Sequence, residues 1–341
     1  MSVDLSTSYL GLQLKNPFVA SASPLTRSVE SLRRLESAGA AAAVLPSLFE
    51  EQIEHEELEI ARLYEYHSDS FSESLSYFPE LDHYNTGPGE YLAHVEAAKR
   101  AVSIPIIGSL NGSSEGGWVR YGKAIQDAGA DALELNIYFI PTDPRQTAAD
   151  VEKRYLDLVD AVRRAVTIPL AVKIGPHFTS LPNFAARLVQ AGADGLVLFN
   201  RYLEADIDLE QLQFKPDLVL SSRHEARIPM RWIAILRDQL PQTSLAATSG
   251  VHRMEGAAKL LLAGADVLMM ASVLIKLGPD FLASLLASTI EWLQQSEYES
   301  VAQLRGSMSF RNCPDASALV RANYMKTLLT FTSEANSPRH W

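Results

Sequence analysis

The chain has 341 residues, 47% of them hydrophobic, which is enough for one large core, so a single domain over residues 1–341 is the simplest organisation. Its 30 Lys and Arg residues against 41 Asp and Glu give a net charge of -11 with no basic cluster, which excludes nucleic acid as an expected partner. The single cysteine, Cys313, excludes an internal disulfide framework, and the lack of a long apolar stretch or hydrophobic leader predicts a cytoplasmic protein without membrane attachment.

Four Ala-Gly-Ala tripeptides divide the chain into similar units, at residues 38–40, 128–130, 191–193 and 263–265. In each unit a helical pattern ends at a glycine suited to a left-handed cap, and a strand-like apolar run follows. Helix leading into strand again and again predicts a parallel sheet covered by helices.

The predicted strands, in chain order, cover residues 18–21, 42–45, 105–109, 132–136, 169–173, 195–199, 244–248 and 267–270. The predicted helices cover roughly residues 28–38, 90–101, 115–129, 149–166, 181–191, 229–239, 254–264 and 279–296. Eight strand and helix pairs of this size predict an α/β fold of the (β/α)8 TIM barrel type. A doubly wound open sheet would show the same alternation, but no glycine-rich dinucleotide turn follows the first strand.

Two long segments interrupt the regular alternation, one after the second strand at residues 50–90 and one after the sixth at residues 200–228. Both fall on the strand-to-helix side of the barrel, where such folds build their pockets, so we expect a lid or binding element there. The carboxyl segment 298–341 contains helical stretches and several arginines. It is expected to pack against the barrel, or against a second subunit in a homodimer.

Polar residues end most of the predicted strands: Ser21, Ser23, Ser47, Ser109, Asn111, Asn136, Lys173, Asn200, Thr248, Ser249 and Ser272. Only one of them is charged, and no catalytic triad or cluster of metal ligands is among them, so we predict no metal site. Amides, hydroxyls and one cation suit a site that orients a polar, partly anionic and planar small molecule.

Small residues follow strands seven and eight, in Thr248-Ser249-Gly250 and Ala271-Ser272. Small side chains let backbone N–H groups approach an anion, and barrels of this type often bind phosphate after these two strands. The alternative is that these residues only close tight loops.

Lys173 ends the fifth strand, and side-chain alternation places Glu134 and Asn136 on one face of the fourth strand. Three interpretations of the lysine stay open at this point. It could form a buried pair with Glu134, lie as a cation beside an electron-rich ring, or form an imine as in aldolases.

The chain resembles the dihydroorotate dehydrogenase family, which consists of FMN-dependent (β/α)8 oxidoreductases, over nearly its whole length. The resemblance begins in Leu10–Phe18, continues through Ala20-Ser21 and extends to Gly278-Pro279. The segment ending at Asn136 is similar to the family's fourth strand, whose last residue contacts the pyrimidine and the flavin. Lys173 matches the lysine that contacts the flavin ring and stabilises its reduced form.

The resemblance also implies the remaining contacts of the FMN cofactor. Asn200 matches a ligand-binding asparagine, and the residues after strands seven and eight match the family's phosphate-binding backbone amides. Lys173 is the catalytic residue that the resemblance implies, and Tyr138 is a further catalytic candidate from this chain alone, with an aromatic core role as the alternative. The implied cofactor-binding residues are Ala20, Ser21, Ser47, Asn111, Asn136, Lys173, Asn200, Ser249, Gly250, Ala271 and Ser272.

The chain departs from the family pattern where the substrate would bind. The family's Cys or Ser base is replaced by Phe139, and the second ligand asparagine by Pro141. A lysine expected after the second strand is absent from Leu45–Ser47, and residues 76–79 do not match the family's substrate segment. Phenylalanine cannot accept a proton.

We therefore expect an FMN-dependent oxidoreductase that transfers hydride between flavin and the CH–CH group of a small conjugated or pyrimidine-like substrate. Tyr138 is the candidate replacement for the missing base. The alternatives are true dihydroorotate oxidation in pyrimidine biosynthesis, a flavin-binding barrel without catalysis, and an aldolase that uses Lys173. No electron-transfer partner is implied by the sequence.

Overall fold

The computed structural model describes residues 3–49, 51, 88–112, 117–201, 204–321 and 323–333. Most of the long segment predicted after the second strand lies outside these residues, and so does the segment 76–79. Among the helices of the described ranges, none combines the length and the apolar character needed to cross a bilayer.

Thirteen strands and eleven α-helices are found in the described residues. The strands are β1 (Thr7–Tyr9), β2 (Leu12–Leu14), β3 (Phe18–Ala20), β4 (Ala42–Val44), β5 (Leu48–Phe49), β6 (Ile106–Gly112), β7 (Ala132–Ile137), β8 (Leu170–Ile174), β9 (Gly195–Leu198), β10 (Ala205–Asp208), β11 (Gln213–Pro216), β12 (Ser244–Thr248) and β13 (Val267–Met270). The helices are α1 (Val29–Ser37), α2 (Pro88–Ala101), α3 (Trp118–Asp127), α4 (Ala148–Ala165), α5 (Leu181–Gln190), α6 (Arg227–Arg237), α7 (Met254–Ala263), α8 (Ser272–Leu277), α9 (Phe281–Gln295), α10 (Val301–Leu304) and α11 (Asn323–Ser333).

Eight parallel strands close into a barrel. They are paired in the order β4, β3, β13, β12, β9, β8, β7 and β6, and β4 pairs with β6 to complete the circle. The closing register places Ala43 opposite Ile106 and Val44 opposite Ile107. A doubly wound sheet would leave two open edges, so the pairing of β4 with both neighbours confirms the predicted (β/α)8 barrel.

Small and branched apolar side chains fill the inside of the barrel: Val19, Ala42, Val44, Ile107, Ala132, Ala171, Val197, Ala246, Val267 and Met269. The antiparallel β1–β2 hairpin covers the end at which the strands begin, and its Tyr9 and Leu14 are buried against this interior. At that end the backbone N–H of Leu10 donates to Ser244 Oγ at 2.8 Å. The opposite end of the barrel, where the strands finish, is left for polar residues.

An aspartate after three of the Ala-Gly-Ala tripeptides fixes the start of a strand. Asp194 Oδ2 accepts from the backbone N–H of Leu170 at 2.8 Å and pairs with Arg163 at 3.0 Å. The preceding glycine, Gly192, has a φ of 112°, and a Cβ there would lie 2.4 Å from Arg163 Cγ. The glycine, the aspartate and the arginine of the preceding helix therefore form one packed unit.

The same unit recurs at two other places in the barrel. Asp131 pairs with Lys99 and accepts from Ile106 N–H, and Asp266 pairs with Arg237 and accepts from Leu245 N–H. The recurrence explains why the tripeptides predicted the fold correctly, since each marks the same local construction.

Four features of the described residues differ from the predicted elements. The hairpins β1–β2 and β10–β11 and the short strand β5 were not predicted, and a separate short helix, α8, precedes the last predicted helix. The eight helices that were predicted with bounds agree with them to within about three residues.

Part of the carboxyl segment packs on the barrel helices. The backbone N–H of Gly306 donates to Leu261 O at 3.0 Å, and that of Phe310 donates to Ala234 O at 2.9 Å. Arg305 adds a second cation to the buried carboxylate of Asp266. Helix α11, in contrast, exposes large apolar side chains, among them Tyr324, Met325 and Leu329.

Candidate functional site

A cleft opens at the carboxyl ends of β3, β8, β9, β12 and β13. Seven of the site residues predicted from sequence line it together: Ser21, Lys173, Asn200, Ser249, Gly250, Ala271 and Ser272. These residues come from widely separated parts of the chain and meet because parallel strands all finish at the same end of the barrel.

Asn111, Asn136 and Lys173 lie in one row on three neighbouring strands. The register pairs Asn111 with Asn136 across β6 and β7, and Asn136 with Lys173 across β7 and β8. The Oδ1 atom of Asn136 is buried and has no hydrogen-bond partner among the described residues. A buried amide oxygen without a partner is unfavourable in the protein alone, so this atom is suited to a ligand donor.

The ammonium group of Lys173 is held from below by a buried carboxylate. Its Nζ lies 3.5 Å from Glu134 Oε1, the Lys173 side chain is 11% exposed, and Glu134 is fully buried. The second carboxylate oxygen, Oε2, has no hydrogen-bond partner within the part of the chain that the structure describes. The buried pair with Glu134, one of the three interpretations of the lysine, is thus present, and it places a positive charge at the barrel mouth.

The side of the cleft that follows β12 and β13 is lined by backbone and small side chains. Ser249 and Gly250 have φ values of 68° and 79°, both in the left-handed region. A Cβ on Gly250 would lie 2.3 Å from the backbone nitrogen of Ala226, so no side chain fits at this position. Together with Ala271 and Ser272, these residues offer backbone groups rather than bulky side chains to a ligand.

Ser221 reaches this end of the cleft from the long segment after β9 and was not predicted from the sequence. It is 3% exposed, and its backbone N–H donates to Ser272 Oγ at 3.0 Å. Its Oγ lies 3.2 Å from His252 Nε2 and 3.5 Å from the Gly250 nitrogen. No local signal marks this serine, because its position depends on how the β10–β11 hairpin returns to the barrel.

His252 and Arg201 also line the cleft beyond the predicted set. Burial and the neighbouring ammonium group of Lys276 hold the pKa of the His252 imidazole below its usual value of 6.5, against a smaller opposing effect of Glu225. Arg201 Nε is paired with Glu225 Oε2 at 2.9 Å.

The remaining predicted residues lie outside this cleft. Ala20 is buried in β3, and Ser47 Oγ lies 2.8 Å from Ser109 Oγ. Tyr138 is half-buried just after β7. The ring of Phe139 lies 4.3 Å from the guanidinium carbon of Arg154 on α4 and lines a separate apolar cavity of about 540 Å³ with Tyr155 and Phe178. The aromatic ring of Phe139 is thus packed against α4.

Comparison with known proteins gives the following matches. The profile of the family described as dihydroorotate dehydrogenase matches residues 4–293. A dihydroorotate dehydrogenase B (NAD(+)) catalytic subunit from Thermoplasma acidophilum is 23% identical over 89% of this chain and 98% of its own length. A putative dihydroorotate dehydrogenase A (fumarate) from Aeropyrum pernix is 28% identical over 60% of this chain and 67% of its own length.

A third relative carries a different name. The NAD-dependent dihydropyrimidine dehydrogenase subunit PreA of Escherichia coli K12 is 23% identical over 90% of this chain and 77% of its own length. Because the family profile covers most of the sequence, and the barrel and its cleft agree with it, the chain belongs to the dihydroorotate dehydrogenase family.

Proposed function

We propose that the protein is an FMN-dependent oxidoreductase that transfers hydride between the flavin and the CH–CH group of a small conjugated or pyrimidine-like substrate. The observation that carries this proposal is the joining, in one cleft, of the buried ammonium group of Lys173 and the backbone-lined end around Ser249 and Gly250. Family membership supports the flavin, since the family's matched strands include both regions.

The residues present fit FMN at both of its ends. Asn136 Oδ1 lacks a partner and suits an N–H donor of a ring system, and Lys173 supplies a positive charge beside such a ring. At the other end, the Gly250 N–H donates to Ser221 Oγ at the long distance of 3.5 Å, and in this proposal it donates to the phosphate of FMN instead. Ser21, Asn200, Ala271 and Ser272 complete the cofactor contacts in this proposal.

When bound, FMN supplies the hydride acceptor or donor. The role of Lys173 is to stabilise negative charge that develops on the ring, and the role of Glu134 is to hold that ammonium group in place. The apolar side chains of the barrel interior lie beneath this pair.

Proton transfer requires a residue other than the family's usual base. Phe139 has no ionisable group, and its contact with Arg154 directs it towards α4. Tyr138 precedes it, one residue beyond the end of β7 and two residues after Asn136, and is half-buried. We therefore assign Tyr138 as the proton donor or acceptor.

Dihydroorotate oxidation is the second candidate function, favoured by the names of the relatives. The replacement of the base by Phe139 and of a ligand asparagine by Pro141 speaks against it. An imine-forming role for Lys173 differs in being trapped by borohydride, and it would require the Nζ atom to leave its contact with Glu134 Oε1 at 3.5 Å. A flavin-binding barrel without catalysis would bind FMN, but no substrate would reduce the bound flavin.

The test is reconstitution of the full-length protein with FMN, followed by its visible spectrum and by anaerobic reduction with dihydroorotate, dihydrouracil and dihydrothymine in parallel. Bound flavin that is reduced by a ring substrate supports the proposal, and reduction by dihydroorotate alone supports the second candidate. Bound flavin that no donor reduces, while dithionite does reduce it, indicates the non-catalytic barrel. Absence of any bound flavin overturns the proposal. Rescue of a pyrimidine-requiring host strain provides an independent measure of dihydroorotate oxidation.

A further inference from the structure

The end of the cleft around Ser249 and Gly250 also contains polar side chains, in addition to the backbone amides that the resemblance assigns to phosphate binding. Ser221 connects them: its backbone oxygen accepts from Lys276 Nζ at 3.4 Å, and its Oγ lies 3.2 Å from His252 Nε2. The same hydroxyl lies near the Gly250 nitrogen. One buried serine thus holds a lysine and a histidine at the edge of the backbone-lined pocket.

Lys276 and His252 both contact Ser221, the lysine through its backbone oxygen and the histidine through its hydroxyl. The Lys276 charge opposes protonation of His252, and the other charged group that acts on this imidazole among the described residues is Glu225. Glu225 is itself engaged by Arg201 and by the backbone N–H of Ser222. An anion bound beside both groups gains the attraction of the Lys276 ammonium charge and a hydrogen bond from the His252 imidazole.

We propose that Lys276 and His252, positioned by Ser221, make this cleft selective for a phosphorylated flavin over the same flavin without its phosphate. The inference rests on the proposed function, because it assumes that a flavin binds with its phosphate at Gly250. Lys276 is exposed and contributes by its charge, whereas His252 lines the cleft itself. Ser221 is a positioning residue that fixes both.

Binding rather than turnover tests the proposal. The dissociation constants of FMN and riboflavin are measured on the flavin-free full chain by quenching of flavin fluorescence, and their ratio is the readout. In Lys276→Met, we expect FMN to bind about three- to tenfold more weakly, because one partly screened positive charge near the phosphate dianion is lost. Riboflavin has no phosphate, so its binding should change by less than about twofold. Lys276→Arg should restore the ratio, because the charge is kept.

The matched control is Lys259→Met, which removes an exposed lysine from α7 and should leave both constants unchanged. An unchanged ratio in Lys276→Met overturns this inference and leaves the proposed function intact. Equal weakening of both flavins in that variant also overturns it, since the effect would then be structural. If the wild-type protein binds neither flavin, the proposed function fails and this inference fails with it.

Discussion

The Lys173 ammonium group lies 3.5 Å from the Glu134 carboxylate at the mouth of the barrel, and the second carboxylate oxygen has no hydrogen-bond partner among the described residues. The pair is therefore less well satisfied than a purely structural ion pair would be. A buried charge is tolerated when its partner is present and becomes unfavourable once that partner is removed.

Lys173→Met should destabilise the flavin-free protein by about 3 kcal/mol, because it leaves the fully buried Glu134 carboxylate without a counter-charge. The double variant Lys173→Met with Glu134→Leu should recover most of this loss. Urea unfolding of the two single variants and the double variant measures the coupling. Additive losses in the double variant would contradict the prediction.

The same lysine should influence the reduction potential of the bound flavin. If its charge stabilises the reduced ring, Lys173→Met lowers the two-electron midpoint potential by about 30–60 mV, which corresponds to roughly 1.4–2.8 kcal/mol. Lys173→Arg, which keeps the charge, is the control. Dye-coupled reductive titration measures the potential, and an unchanged value in the methionine variant would remove Lys173 from the redox role.

Tyr138 and Phe139 provide a matched pair for the proton-transfer step. Tyr138→Phe removes one hydroxyl and should lower the rate of flavin reduction by substrate about 10²- to 10⁴-fold without loss of FMN. Phe139→Leu keeps an apolar side chain at the α4 contact and should leave that rate within a few-fold. Stopped-flow reduction of both variants is the measurement, and equal rates in wild type and Tyr138→Phe would exclude the tyrosine.

The imidazole of His252 should respond to the flavin phosphate. Burial and Lys276 hold its pKa below 6.5 in the flavin-free protein, and a bound anion should raise it. Binding of FMN then takes up a proton, so the preference for FMN over riboflavin grows as pH falls from 8 towards about 6, where the phosphate itself begins to protonate. NMR titration of histidine-labelled protein, with His252→Gln to assign the signal, checks both statements.

Acidification should have the opposite effect on the stability of the flavin-free protein, which it lowers. Since the unfolded chain takes up the His252 proton before the folded chain does, the flavin-free protein should lose stability as pH falls below about 6.5. His252→Gln should show a smaller loss over the same range. An upward shift of the unfolding temperature on acidification, removed by this substitution, would contradict the direction.

Gly192 and Gly129 occupy equivalent positions but differ in their surroundings. Both have positive φ, so alanine should destabilise either position by about 1–2 kcal/mol. In Gly192→Ala the new Cβ would also meet Arg163 Cγ at 2.4 Å, whereas in Gly129→Ala the nearest atom is 3.9 Å away. Gly192→Ala should therefore be the more destabilising of the two in urea unfolding, and equal effects would show that the Arg163 stem moves freely.

The barrel could be predicted from the sequence because its repeated tripeptides combine two local signals, a left-handed glycine cap and the apolar run that follows it. The hairpins could not, since β1 and β2 have three residues each, too few for alternation to distinguish them from loops. Strand ends likewise predicted the residues at the mouth, because the ends of parallel strands meet whatever the loops do.

Ser221 and Lys276 could not be predicted from the ends of the strands. Neither ends a strand: Ser221 reaches the cleft from the segment after β9, and Lys276 on α8 donates to its backbone oxygen. Such contacts depend on long-range packing, which has no local periodicity. For Phe139, the sequence alone showed that the side chain cannot accept a proton. Its contact with Arg154 could not be predicted, because it depends on the packing of α4.

Asp131, Asp194 and Asp266 fasten the strands at the end of the barrel opposite to the cleft. These hydrogen bonds do not involve residues at the mouth of the barrel. Substitutions at the mouth therefore leave the alignment of the strands unchanged. Residues at the mouth can therefore change while the scaffold that aligns the strands is kept, in agreement with a family profile that matches residues 4–293 at only 23–28% identity to the relatives.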